Sequence, residues 1–152
     1  MEIKFTKEQY ENLMKLCYLG NWMANAIHVG NVEDPKIKKF DDIEQYIYSF
    51  AKEFGFGDLV EYDKKYKEYF PTREFDEDPE LEEIRNNYEG EAFWDELHYQ
   101  LSERDFLKFY DMDEITKMDI YERIKKEEPF REKWDKELEK HGIERLDVNE
   151  GN

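Results

Sequence analysis

Apolar positions are densest between Leu13 and Ile27, LMKLCYLGNWMANAI, and elsewhere recur as short helical stripes separated by acidic turns. Tyr10, Leu13, Cys17, Ala24 and Ile27 keep helical spacing, while Leu16, Tyr18, Leu19, Trp22 and Met23 put apolar surface on the remaining faces. Apolarity on every side predicts a helix buried inside a bundle. A membrane-spanning helix needs about 20 apolar residues. This run has fifteen and contains Lys15, Asn21 and Asn25, so a core helix is expected and no membrane association.

The flanking pattern supplies starts and stops. Thr6 and Gln9 form a capping box ahead of the first helix, which is expected to end near Gly30, with residues 31–40 as a loop. Asp41 or Asp42 then caps a second helix carrying Ile43, Ile47, Phe50 and Phe54 and stopped by Gly55. A third is expected from Asp58 and Glu61, with Leu59, Tyr62, Tyr66, Tyr69 and Phe70 on one face and Pro71 closing it. Asp78-Pro79, a cap followed by proline at the first helical position, starts a fourth with Leu81, Ile84 and Tyr88. Beyond Gly90 the stripe of Phe93, Trp94, Leu97 and Leu101 moves to the opposite side, so a break at Gly90 and a fifth helix from Glu91 are predicted.

Continuing that fifth stripe carries Arg104 and Asp105 towards the core. Either Ser102 caps a new helix there, the first expectation, or Arg104 and Asp105 form a partly buried ion pair. A sixth helix carries Ile115, Met118, Tyr121 and Ile124. Pro129 restarts a seventh with Phe130, Trp134 and Leu138, ended by Gly142. Residues 2–5 and 144–148 both alternate and are expected to pair. The pattern predicts one all-α domain over residues 1–152, a compact bundle of about six to seven helices around a buried N-terminal helix. A small two-stranded ribbon is expected to pair the chain ends.

Composition narrows the function. The 152 residues hold 23 basic and 40 acidic side chains, a net charge of −17 spread along the chain. Direct nucleic-acid binding is thereby disfavoured, because phosphate contacts need basic residues. Twenty-five aromatic residues supply the apolar surface that disordered chains lack. With 26 Glu and 17 Lys beside two Ser, three Thr and three Gln, a thermophilic source is expected. The single Cys17 excludes an internal disulfide framework and thiolate zinc motifs, which fits a reducing, cytoplasmic setting. Neither a signal-peptide pattern nor a lipidation motif is visible.

Candidate chemistry is sparse. Cys17, Asn21, Asn25 and His28 fall towards one side of the first helix. Either the amides tie neighbouring elements together, or Tyr18, Asn21, Asn25 and His28 line a ligand pocket. Asp95 and His98, three apart, would lie side by side as helical metal ligands do, against a core-edge histidine as the plainer reading. Asp111, Asp113, Asp119 and Glu122 occupy calcium-loop positions, yet Ile115 and Thr116 stand where an oxygen ligand and glycine are needed, so helix capping is expected. No phosphate-binding glycine loop or hydrolase motif occurs.

In residue types alone, the paired acids Glu82-Glu83 and Asp95-Glu96 resemble those of the all-helical nucleotide pyrophosphohydrolases, which hold magnesium with four carboxylates. The resemblance implies a small metal-dependent hydrolase with a divalent metal, using helical carboxylates and His98. The leading expectation is different: a cofactor-free protein-binding or regulatory module. Its acidic, aromatic-rich helical surface would meet a basic protein partner and, in the strongest form, imitate nucleic-acid charge.

Overall fold

A computed structural model describes residues 3–26 and 35–147, and it is mostly helical with a small antiparallel ribbon. Its elements run α1 (Lys7–Asn25), α2 (Pro35–Tyr48), β1 (Val60–Asp63), β2 (Glu68–Pro71), α3 (Arg73–Asp76), α4 (Pro79–Phe109), α5 (Met112–Ile115) and α6 (Ile120–His141). They gather into two units, Met1–Asn86 and Asn87–Asn152. No helix among the described residues is long and apolar enough to cross a membrane.

In the N-terminal unit α1 starts where the capping box places it: Gln9 N donates to Thr6 Oγ1 at 3.2 Å and Thr6 N to Gln9 Oε1 at 2.9 Å. Its buried face is Tyr10, Met14 and Tyr18, residues four apart and therefore on one side. The helix is not buried all round, since Leu16 and Met23 are exposed. It packs against α2 and the turns that follow, which cover a single stripe: Tyr10 stacks on Phe54, and Tyr18 meets the edge of Phe75. Tyr48, Ala51, Val60, Phe75 and Leu81 complete this core.

Helix α2 begins at Pro35, inside the segment expected to be loop, because proline is well placed in a first helical turn. The expected third helix is instead the β1–β2 hairpin. Tyr62 and Tyr69 face each other across it with rings 4.9 Å apart, a cross-strand pair whose sequence spacing imitates a helical stripe. Asp63 organises its turn by accepting from Lys65 N at 2.6 Å and Tyr66 N at 3.2 Å. The turn closes through Lys67, whose φ of 60° is left-handed and unfavourable for a side chain. Lys67→Gly should therefore raise stability by roughly 0.5–1 kcal/mol in a urea melt. A loss there would place the strain elsewhere.

Asp78 caps α4 as expected, accepting from Glu80 N at 2.9 Å and Leu81 N at 3.3 Å. The helix then runs unbroken through Gly90 and Ser102. Its two stripes need no break because they serve different cores: Leu81 belongs to the N-terminal unit, Leu101, Ser102 and Phe106 to the C-terminal one. In the C-terminal unit Asp111 and Asp119 cap α5 and α6, accepting from Glu114 N and Glu122 N, both at 2.8 Å. Helix α6 also continues through Pro129 instead of restarting there. The Phe130 ring, 5.9 Å from that of Phe106, and buried Trp134 anchor the stretch that follows the proline.

The ribbon is thus internal. Residues 3–5 and 144–147 carry no strand, and Glu2 and Val148 lie outside the described residues.

Candidate functional site

The polar residues of α1 are engaged with their own protein. Asn21 Nδ2 donates to Glu44 Oε2 at 2.7 Å, and Tyr48 Oη donates to Glu44 Oε1 at 3.1 Å. Asn25 Nδ2 donates to Asn21 O at 3.0 Å and Asn21 Oδ1 at 2.8 Å. The Tyr18 hydroxyl donates to Asp76 and accepts from Arg85 Nη1 at 2.6 Å. Tyr18 and Asn21 therefore face different partners, and the amides tie α1 to α2. His28, the fourth pocket candidate, lies outside the described residues.

Glu44, which sequence reading passed over, is the unusual group of this cluster. Burial pushes its carboxyl up to about 6 against the pull of the Asn21 and Tyr48 hydrogen bonds, with Asp41 adding to the rise. Its position is legible afterwards, since Ile37, Glu44, Tyr48 and Ala51 form one buried stripe at helical spacing. Burial, followed by the Glu44 charge, also pushes the Cys17 thiol up. A thiol held protonated is a poor nucleophile.

In the C-terminal unit a groove of about 350 Å³ lies between α4 and α6, lined by Trp94, Asp95, His98, Asp135, Leu138 and Glu139. Asp95 and His98 both reach it, but His98 turns across to α6, with Nε2 3.0 Å from Arg131 O and 3.0 Å from Asp135 Oδ1. Among the described residues no group of three His, Cys, Asp or Glu side chains is placed to hold a metal ion. Asp135 and Glu139, one helical turn apart on α6, join Asp95 in giving the groove three carboxylates and no lysine or arginine. Trp94 is half-exposed at its edge. Among the described residues no cationic side chain covers its ring, whereas Trp134 carries both Arg104 and Lys133. Neither α6 acid was singled out from sequence, because in so acidic a chain nothing marks which carboxylates share a groove with Trp94.

Arg104 and Asp105 form the partly buried pair that was the second expectation, with Arg104 Nη2 2.8 Å from Asp105 Oδ1. Asp105 also receives Lys133 Nζ at 2.6 Å and the Trp134 indole N–H at 2.9 Å. This network is structural: it ties α4 to α6 beneath their exposed faces. No protein-family model, no curated protein and no solved structure matches the chain.

Proposed function

We propose that the protein is a binding module that engages a basic protein partner, taking a lysine or arginine side chain into the groove edged by Trp94. The observation that carries this reading is the combination, among the described residues, of a half-exposed indole over which no cation lies with three carboxylates, of which Asp135 meets His98 and Asp95 and Glu139 have no lysine or arginine beside them in the groove. The stem of a lysine or arginine would lie along Leu138, its charge over the ring and beside Asp95, Asp135 and Glu139. Each such contact is modest, about 0.5–1 kcal/mol for an exposed cation over an aromatic ring and about 0–1 kcal/mol for an exposed ion pair. Affinity through this groove is therefore weak, and the net charge of −17 contributes mainly to the rate of encounter. The metal-dependent hydrolase reading rests on sequence alone.

The test is binding of a labelled arginine- and lysine-rich peptide, followed by fluorescence anisotropy across a salt series. Exposed charges interact over about 10 Å at 0.1 M salt and about 3 Å at 1 M, so binding should weaken steeply over that range. Trp94→Ala should weaken it about two- to fivefold at low salt, and the double variant Asp95→Asn/Glu139→Gln by a similar factor. Equal binding by all three proteins would remove the groove from the reading. Binding that persists at about 1 M salt would remove the charge. In the stronger form, imitation of nucleic-acid charge, the protein displaces single-stranded nucleic acid from a basic nucleic-acid-binding protein, and failure to do so leaves only the weaker form.

A further inference from the structure

Two long helices form most of the C-terminal unit, with Trp94 opposite Leu138, His98 opposite Asp135 and Phe106 opposite Phe130, so they run antiparallel. Such a pair leaves open the seat that a third helix fills in a bundle. The groove between them extends beyond Trp94. A second hollow, bordered by Tyr99, Ile120, Ile124 and Arg131, adjoins the first where His98 Nε2 lies 3.0 Å from Arg131 O. Along α6 the bordering residues Ile120, Ile124, Glu127, Arg131, Asp135 and Leu138 follow one another at three or four positions and so make a single stripe. That stripe is roughly 27 Å long, about five helical turns.

Its two ends differ in chemistry. At the first, Glu127 accepts from Arg123 Nε at 2.6 Å and from Arg131 Nη2 at 2.8 Å, so the charges there are matched within the protein. Around them lies open apolar surface: Ile120 is 64% exposed and Ile124 53%, with Tyr99 half-exposed across the groove. Single exposed apolar residues are ordinary, but these three border one groove. At the other end Trp94 stands beside Asp95, Asp135 and Glu139, with no lysine or arginine among the residues that line it. The cation contact there is weak alone, and the apolar stretch is the neighbouring surface that can add affinity. A second copy of the chain would bring the same three carboxylates and the same net charge of −17, so charge disfavours it as the occupant.

We infer that the α4–α6 groove docks an amphipathic helix of the partner protein. Two apolar residues one turn apart on that helix cover Ile120, Ile124 and Tyr99, and a lysine or arginine about three turns along the same face reaches Trp94 and its carboxylates. The inference rests on the cation-binding role proposed for the groove and names the form in which the basic partner arrives.

The experiment uses two labelled peptides of identical composition, titrated into the full-length protein at about 0.1 M salt and followed by fluorescence anisotropy. One sets a leucine pair and an arginine pair on a single helical face about three turns apart, and the other scatters the same residues around the helix. The patterned peptide is made with the arginines at either end, so that both polarities of docking are sampled. In one polarity it should bind about tenfold more tightly than the scattered peptide. Ile120→Ala/Ile124→Ala, a change confined to exposed positions, should remove that advantage and leave the scattered peptide unchanged. Trp94→Ala should weaken both peptides alike. Equal binding of patterned and scattered peptides, still weakened by Trp94→Ala, would overturn the docked helix and leave the cation site standing. An advantage that survives the alanine pair would overturn it as well, and binding of neither peptide would remove both readings. Self-association in sedimentation that the alanine pair abolishes would give this face to a second copy and likewise overturn the inference.

Discussion

Asp105→Ala should destabilise the C-terminal unit by about 2–4 kcal/mol, measured by urea unfolding at neutral pH. One carboxylate accepts the Arg104 guanidinium on Oδ1, and the Lys133 ammonium and Trp134 indole N–H on Oδ2. Trp134 is 7% exposed, so its N–H, once orphaned, has little access to water. That loss alone is worth about 1–3 kcal/mol, and the half-exposed cations add smaller amounts. Asp105→Asn keeps an acceptor for the indole and should cost less than alanine. Acid gives an independent reading. Burial by itself would raise this carboxyl, but the Lys133, Arg104 and Trp134 bonds overcome it and bring it from 3.8 down to about 2. A depressed carboxyl stabilises the fold above its unfolded value and loses that contribution as pH falls. About 2 kcal/mol should therefore disappear between pH 3.8 and about 2 in the native protein but not in Asp105→Ala. A cost below about 1 kcal/mol for alanine would mean that the pair belongs to the surface.

The elements written into the sequence by local chemistry are the ones it disclosed. The Thr6 box, the Asp78-Pro79 start, the Asp111 cap and the Gly142 stop depend on a few neighbouring residues and sit where reading placed them, whereas Asp119 starts α6 within the stretch from Ile115 to Ile124 that was expected to be one helix. Errors arose where tertiary packing overrides local pattern. Tyr62, Tyr66, Tyr69 and Phe70 fit a helical stripe, yet Tyr62 and Tyr69 pair across strands, and only the Asp63 turn decides between the two. The out-of-phase stripes of α4 argued for a break because a single core was assumed. Leu81 and Phe106 instead fill different cores, so one helix satisfies both. Candidate-site residues were less legible for a related reason. Asp95 and His98 were found by their spacing, but Trp94, Asp135 and Glu139 come together only once α6 lies beside α4, and the same juxtaposition brings Tyr99 to Ile120 and Ile124.

The N-terminal unit should show the opposite pH dependence, becoming less stable as pH rises through the range in which Glu44 ionises. Glu44 is 8% exposed, and its two oxygens receive Asn21 Nδ2 and the Tyr48 hydroxyl, with no cation among the causes that set its ionisation. Burial therefore dominates and moves the carboxyl from 4.5 to about 6, in spite of the two hydrogen bonds. For a carboxyl raised on folding, the stabilising contribution is complete below the unfolded value and is lost as pH rises through the folded one. A shift of that size corresponds to about 2 kcal/mol, lost between pH 4.5 and somewhat above 6, with a plateau beyond. Glu44→Gln removes the ionisation while keeping an oxygen for Asn21. Its stability relative to the native protein should move by about 2 kcal/mol in the variant's favour between pH 4.5 and about pH 7. Trp22, in the same unit, provides a fluorescence signal for the melts. A parallel pH course for variant and native protein would show that Glu44 is hydrated. The Asn21 bond between α1 and α2 would then be an ordinary surface contact.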